Sequence, residues 1–361
     1  MKIYPIALVL LCVANTGFAS SFDVDYSISL GNFYGYTDYS SKTPSSYKHN
    51  NFNSSLNAYT NLSYNINSNY TASITAYTMI DTSKEIENYN QGYWGEEVFF
   101  NFQTPIGDFS AGQDYNVAYN FAVGAPNIGS YRINNTDLTN FLINPNWYQK
   151  GSKSYYKTLN STYINTDGAS NKINYTTKEF FNTKLGLSYI PKVNSRSGLV
   201  SKDASYHNNE AYVLGLYNSF YLKDYEIETS LGFADYKEND KEYSLGFSVY
   251  RKGWTLGSSF RKTNTNKADS PLNNTVLYDT YREGYAYNAG ISYEFGPLTT
   301  GVSYFYSKSD QTKNEDEIIS FSNSYVYNKH TTISLTLAHQ TSRDENITRG
   351  FATILGLEFM L

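Results

Sequence analysis

The side chains that could act as a catalytic base or nucleophile are few and scattered. The four histidines are His49, His207, His330 and His339, and the only cysteine is Cys12. A hydrolase with a catalytic histidine needs that histidine beside a serine that it activates or a carboxylate that orients it. Because serine and aspartate are abundant throughout the chain, proximity along the sequence identifies no such pair. No metal-ligand spacing and no G-x-x-x-x-G-K phosphate loop is present, so the sequence predicts no metal, no cofactor and no enzyme.

A second group of charged residues has a more informative spacing, because each member alternates with apolar residues. Glu226 and Glu228, for example, flank Ile227. Neighbouring side chains of a β-strand point to opposite faces, so the charges share the face away from the apolar residues. If the apolar face meets lipid, a charge there costs roughly 2–4 kcal/mol, and the charged face therefore points inward. Fixed charges around a wet interior select ions, which is the chemistry expected here. The group comprises Glu97, Lys172, Lys184, Glu226, Glu228 and Glu294.

The elements that position these charges are strands, because alternation of apolar and polar residues recurs along the chain. The clearest segment, 52–66, places Phe, Leu, Ala and Ile opposite Asn and Ser, and 70–81 repeats the pattern after a three-residue turn. Such a pair predicts a hairpin. The strands are predicted at 23–36, 52–66, 70–81, 92–103, 108–114, 170–177, 181–191, 209–222, 225–236, 242–251, 254–263, 284–295, 298–308, 316–327, 331–341 and 350–361.

Composition and gap lengths define the fold class. The sequence has 38 Tyr among 361 residues and a mean hydropathy of −0.51, and after the first twenty residues no apolar run approaches a membrane helix. The gaps between predicted strands alternate between short and long, as in transmembrane barrels with tight turns at one end and long loops at the other. We therefore predict an all-β, antiparallel, up-and-down transmembrane β-barrel of about sixteen strands. The net charge of −5 and the lack of a basic stripe predict no nucleic-acid partner.

The amino terminus has the pattern of an export signal. Lys2 precedes the apolar stretch 6–13, and Gly17-Phe18-Ala19 forms a small-x-small cleavage pattern. We expect residues 1–19 to be a signal peptide and residues 20–361 to form the barrel. Because Cys12 would leave with the signal, the mature chain is predicted to contain neither a disulfide bond nor a thiol nucleophile.

Several short motifs resemble those of the general trimeric porins of Gram-negative bacteria. They are the segments 96–102 with 106–109 and 111–114, the hairpin 171–177 with 185–191, and the terminal strand 350–361. The chain departs from the family at Leu361, where phenylalanine is usual, and at Lys178, where proline is common. The resemblance implies a homotrimer in the lipid of the outer membrane and a third external loop that folds into the lumen.

The longest gap, about residues 115–169, is that third external loop. Long loops without strand patterns tend to be functional, and the resemblance implies that this one narrows the channel. Arg132 and Asp137 are its candidate constriction residues. We expect passive diffusion of small hydrophilic solutes and ions through a water-filled lumen. Because the inward-facing charges are mainly acidic, a weak cation preference is expected.

Two other functions fit the same fold. The long polar loops 191–208 and 263–283 would also suit an adhesive or structural surface protein, for which the barrel is a support. A solute-specific channel, for example for sugars, would use aromatic residues of the third loop. The candidates for that role are Trp147, Tyr148, Tyr155 and Tyr156.

Overall fold

Sixteen strands form one closed antiparallel barrel, in which each strand pairs with its neighbours in the chain and β16 closes against β1. This computed structural model describes residues 22–39, 50–81, 97–129, 158–159, 161–193, 210–236, 240–264, 283–310, 313–343 and 347–361. Among these residues, no helix combines the length and apolar character needed to cross a membrane. The predicted fold class and strand number are confirmed.

The strand bounds follow the predicted alternating segments closely. The strands are β1 (Phe22–Tyr39), β2 (Asn50–Asn67), β3 (Tyr70–Asp81), β4 (Glu97–Thr104), β5 (Gly107–Gln113), β6 (Asn171–Thr177), β7 (Thr183–Ile190), β8 (Ala211–Leu222), β9 (Tyr225–Tyr236), β10 (Asp240–Arg251), β11 (Trp254–Asn264), β12 (Gly284–Phe295), β13 (Leu298–Ser309), β14 (Glu315–Asn328), β15 (Thr331–Arg343) and β16 (Ile347–Met360). The one helix among the described residues is α1 (Val117–Asn120) in the third loop.

Closure between the first and last strands removes the free edges that a membrane does not tolerate. Leu30 pairs with Phe359 and Tyr34 with Leu355 in a continuous register. The terminal Leu361 extends this pairing, because its N–H donates to the carbonyl of Ile28 at 2.9 Å. Every backbone group must be bonded within the protein at membrane depth, which only a closed barrel or a helix achieves.

The outer surface carries an apolar band between two aromatic girdles. Leu256 and Leu245 are among its half-exposed members. Trp254 packs on Tyr293 at one border, with 4.6 Å between ring centroids, and a tyrosine cluster that includes Tyr285 lies at the other. The nine residues from Tyr285 to Tyr293 span about 27 Å along a strand, or about 21 Å across the membrane at a tilt of about 40°. This height is close to that of the apolar band of outer-membrane barrels, about 25 Å.

Tight turns join the strands at one end of the barrel, here called the short-turn end. In the β10–β11 turn, Lys252 and Gly253 both have positive φ, 47° and 85°, which is the type I′ geometry that suits a right-twisted hairpin. In the β8–β9 turn, a hydrogen bond from Arg251 lowers the pKa of Asp224 below its ordinary value. The third loop leaves the opposite, long-loop end.

Candidate functional site

The third loop enters the barrel and runs along its inner wall. Its first part, residues 114–129, is here called the outgoing leg. Its last part, residues 158–159 and 161–170, is called the return leg. Helix α1 begins the outgoing leg and is capped by Asn116, whose side chain accepts the Tyr119 N–H at 2.8 Å. Both Val117 and Ala118 are buried, and α1 contacts β6 to β9. The expected insertion of this loop into the lumen is therefore confirmed for the two legs.

Glycines on consecutive strands leave room for the outgoing leg. A Cβ atom at Gly246 would lie 1.9 Å from the carbonyl oxygen of Val123, and one at Gly257 would lie 2.1 Å from that of Gly124. Real Cβ atoms do not approach so closely, so any larger residue would displace the leg. The glycines that face it, one per strand from β7 to β13, are Gly186, Gly215, Gly232, Gly246, Gly257, Gly290 and Gly301.

Polar side chains of the wall accept the backbone N–H groups of this leg. The N–H of Val117 donates to Ser188 at 2.9 Å, and that of Val123 donates to Ser230 at 3.0 Å. Further along, Asn288 accepts the N–H of Ala125. Buried backbone donors need partners, because an unpaired one costs about as much as a lost hydrogen bond. The wall therefore fixes both the position and the register of the leg.

The return leg is held by buried charges on β10 and β11. The Arg261 guanidinium is fully buried and lies 2.9 Å from Glu242, 2.8 Å from the Thr166 hydroxyl and 2.7 Å from the Asn165 amide oxygen. Thr166 also donates to Glu242. A planar guanidinium with several fixed donors is suited to bridge a wall and a loop in this way. Farther along, the return leg reaches β14, where Thr158 donates to Asp316.

A second buried ion pair fastens the end of the return leg. The Lys172 ammonium of β6 lies 2.9 Å from Asp167 Oδ2, and neither side chain is exposed. The ammonium hydrogens go to the carbonyls of Gly168 and Asp114, so the contact with Oδ2 is electrostatic. The other oxygen, Oδ1, accepts a hydrogen bond of 2.6 Å from Asn116. This pair therefore joins the return leg, the outgoing leg and β6.

Asp114 marks the point at which the outgoing leg leaves β5. Burial raises the pKa of its carboxyl group above the ordinary value, while hydrogen bonds from Ser110 and Asn174 and the charge of Lys172 oppose this shift. The bonds to Ser110 and Asn174 are 2.7 and 2.8 Å long. The carboxyl group thus ties the first residue of the leg to two adjacent strands.

Apolar residues also face inward where the loop covers the wall. Phe305 and Ile318 pack with Phe33 and with Ala125 and Leu159 of the two legs. A second cluster under the legs contains Ile164, Ile190, Val193 and Val213. At these positions the inner face meets the loop and not water, because the loop forms a small protein core against the wall. Neither alternation nor composition predicts which inward positions are covered.

The residues predicted to line the pore have different surroundings. Arg132 and Asp137 lie outside the described residues, as do Trp147, Tyr148, Tyr155 and Tyr156. Lys172 faces the interior but is buried beneath the loop.

Lys184, Glu226 and Glu228 lie on inward positions near the short-turn end, where Tyr217 donates to Glu228. Glu294 occupies a similar position on β12, next to its turn, and is exposed. Glu97 lines an open part of the lumen.

Three charged residues that hold the loop were not identified from the sequence. They are Glu242, Arg261 and Asp316, all buried. The same alternation would have placed them inside, since each has outward-facing neighbours in its strand. Their role in binding the loop, however, depends on contacts with residues far away in the chain.

Among the described residues, the two legs of the loop leave the wall of β2, β3 and β4 uncovered. The contacts of the two legs described above fall on strands β5 to β14 and on Phe33 of β1. On the remaining wall there is a cavity of about 520 Å³. Its lining is formed by Tyr59, Asn61, Ser63, Thr71, Ser73, Thr75, Tyr77, Glu97, Phe99, Asn101 and Gln103. Within the described part of the chain, no group of three or more His, Cys, Asp or Glu side chains could hold a metal ion.

A closed membrane barrel whose lumen holds an inserted loop belongs to the class of channel-forming outer-membrane proteins. The family model of Gram-negative porins matches residues 7–345, and the chain belongs to that family. Family and fold together point to an outer-membrane channel and not to an enzyme. Among curated proteins, no match was found.

Solved porin structures share the fold at low sequence identity. Salmonella typhi OmpF, in a complex with daunomycin, is 13% identical with a TM-score of 0.64, covering 94% of this chain and 97% of its own. The anion-selective porin from Comamonas acidovorans is 11% identical with a TM-score of 0.61, covering 94% and 100%. The trimer form of Vibrio cholerae OmpT is 11% identical with a TM-score of 0.60, covering 95% and 100%. At these identities the likeness shows the fold alone.

Proposed function

We propose that this chain is a porin through which small hydrophilic solutes and ions diffuse passively, with a weak preference for cations. The observation that carries this proposal is the polar wall along β2 to β4, which the described legs of the third loop leave uncovered because they contact β5 to β14 and Phe33 of β1. A sixteen-stranded barrel is wide enough to keep an aqueous passage when a loop occupies part of it. Diffusion down a gradient through such a passage needs no energy source.

The charge of the short-turn end supports the cation preference. Among the described strand residues there, five carboxylates occupy inward positions without a nearby ion-pair partner in that set, against one lysine, Lys184. Asp108 also points inward, but Lys178 neutralises it at 2.7 Å. Rings of charge of one sign favour counter-ions. The five carboxylates belong to Asp23, Asp25, Glu226, Glu228 and Glu294.

The reversal potential in a KCl gradient tests this preference. Purified protein in a planar bilayer should give stepwise conductance. The sign of its reversal potential should indicate that K⁺ is more permeant than Cl⁻. The double variant Glu226→Gln/Glu228→Gln should shift the potential toward Cl⁻, and Lys184→Gln should shift it the other way. Glu317→Gln, on an outward position of β14, is the control and should leave the reversal potential unchanged. An anion-selective wild type would refute the preference, and folded protein without conductance would refute the pore.

The outward face of β1 to β3 supports assembly as a homotrimer. Ser54 and Asn32 are hydrogen-bonded there at 2.8 Å, and Ala58 and Ala76 lie nearby, among exposed apolar residues such as Leu30. Small side chains let backbones approach in a bilayer, and polar ones supply hydrogen bonds. Ala76→Trp should reduce the mass of the detergent-solubilised protein from trimer to monomer, while Leu245→Trp on the lipid face should not. A monomeric wild type would exclude this assembly.

Export to the outer membrane is part of the same proposal. Residues 1–19, which lie outside the described residues, are proposed as the signal peptide, and the barrel domain as residues 20–361. Mass spectrometry of protein from the outer-membrane fraction should find an amino terminus at Ser20. Protein that keeps residues 1–19, or that fractionates elsewhere, would contradict the proposal.

A further inference from the structure

The cavity along β2, β3 and β4 combines aromatic faces with a dense set of hydrogen-bonding groups. Tyr59, Tyr77 and Phe99 contribute the aromatic faces. They are neighbours in the sheet. Tyr59 pairs with Tyr77, which in turn pairs with Glu97, and Phe99 lies two residues after Glu97 on the same face of β4. The volume of about 520 Å³ lies within the range of small-molecule sites. The wall thus has both the size and the composition of a binding surface.

Several amide groups of this wall point into the lumen with their hydrogen-bonding capacity unused. Asn61 accepts a hydrogen bond of 3.0 Å from Thr75 through Oδ1, which fixes its amide and leaves Nδ2 as a donor toward the lumen. Within the described part of the chain, the side-chain amides of Asn101 and Gln103 have no hydrogen-bond partner. Each primary amide offers two N–H donors and a carbonyl acceptor. The hydroxyl groups of a polyhydroxylated solute pair with such a surface both as hydrogen-bond donors and as acceptors.

The lining is almost uncharged. Among the described residues that form it, Glu97 is the one carboxylate and no lysine or arginine is present. Two further carboxylates border the lining, because Asp23 pairs with Ser63 and Asp25 pairs with Asn61 across β1 and β2. An anionic solute has no counter-charge here. The amides, hydroxyls and aromatic faces of the lining outnumber Glu97 and the two bordering carboxylates, so the chemistry of the wall suits a neutral solute better than a cation.

We propose that the wall of β2 to β4 is a binding subsite for neutral, polyhydroxylated solutes of the size of a short oligosaccharide. The apolar faces of sugar rings would lie on Tyr59 and Phe99, while their hydroxyls exchange hydrogen bonds with Asn61, Asn101 and Gln103. The inference rests on the proposed function, since solute reaches this wall only through an open pore. It uses strand residues and does not involve the aromatic residues of the third loop.

Maltotriose-dependent block of the ionic current tests the subsite. Single channels in KCl should lose current in a saturable way as maltotriose is added. Asn101→Ala should raise the half-saturating concentration about twofold to tenfold, the equivalent of one hydrogen bond. Phe99→Leu should also raise it, through loss of the ring face. The matched control is Phe100→Leu, which changes the adjacent residue on the lipid face and should leave the block unchanged.

The outcomes separate the subsite from the pore. Folded barrels that carry no current would refute the proposed function and the subsite with it. Channels that conduct normally but lose current only in proportion to the viscosity of the maltotriose solution would overturn the subsite alone. So would equal block in wild type, Phe99→Leu and Asn101→Ala. Stronger block by spermidine than by maltotriose, lost in Glu97→Gln, would show a cation site and overturn the inference.

Discussion

Replacing Lys172 by methionine should release the end of the third loop from the wall and widen the channel. Lys172 and Asp167 are both fully buried, with 2.9 Å between Nζ and Oδ2. The variant keeps the length of the side chain but removes the charge and the hydrogen bonds to two loop carbonyls. It leaves the Asp167 carboxylate without its counter-ion, although Asn116 still donates to Oδ1.

The size of the effect follows from the burial of the pair. Removing one partner of a buried ion pair costs about 3–5 kcal/mol, because an uncompensated charge stays in a poorly solvated place. The sixteen strands keep their backbone pairing, so this cost falls on the docking of the return leg and not on the barrel. At about 1.4 kcal/mol per factor of ten, the docked population falls by between two and four powers of ten relative to the released one.

Single-channel recording measures the release. Lys172→Met should show higher mean conductance and additional current noise, and limited proteolysis of intact cells should cleave the loop faster. The double variant Lys172→Met/Asp167→Leu should recover part of the wild-type behaviour, because no charge is then left unpaired. Lys184→Met is the matched control, since this lysine of the next strand is not buried under the loop. Conductance, noise and proteolysis equal to wild type in Lys172→Met would refute the anchoring argument.

Three further changes have outcomes set by the structure. Gly246→Ala should push the outgoing leg off the wall, because its Cβ would lie 1.9 Å from the carbonyl oxygen of Val123. The variant should therefore raise the conductance, whereas Ser248→Ala on the same strand should leave the conductance unchanged. Arg261→Lys should loosen the return leg by about 1–3 kcal/mol, because a single nitrogen atom cannot reach the three acceptors that the planar guanidinium bridges. Faster proteolysis of the loop would report this loosening, and an unchanged rate would contradict it. Gly253→Val should reduce the stability of the barrel by about 1–2 kcal/mol, because valine is strained at the positive φ of this turn position. A lower unfolding temperature in detergent would report this loss, and equal stability would show that the turn adapts.

The fold was predictable because the membrane imposes a simple rule on sequence. Lipid on one side and water on the other require alternation along every strand, and the requirement for paired backbone groups at membrane depth forces closure. Alternation is local, so it is visible in each segment. The strand number, the lipid-facing residues and the inward direction of residues such as Glu97 and Glu228 all follow from it.

What the inner face contacts was decided only by the tertiary structure. Gly186, Gly215 and Gly232 are far apart in sequence and become neighbours through strand register, where they leave space for the loop. Lys172 shares its inward direction with Glu97, yet one is buried in an ion pair and the other lines the open lumen. Alternation gives the face of a strand on which a side chain lies. Whether that face meets water or another part of the chain depends on long-range packing, which no local pattern encodes.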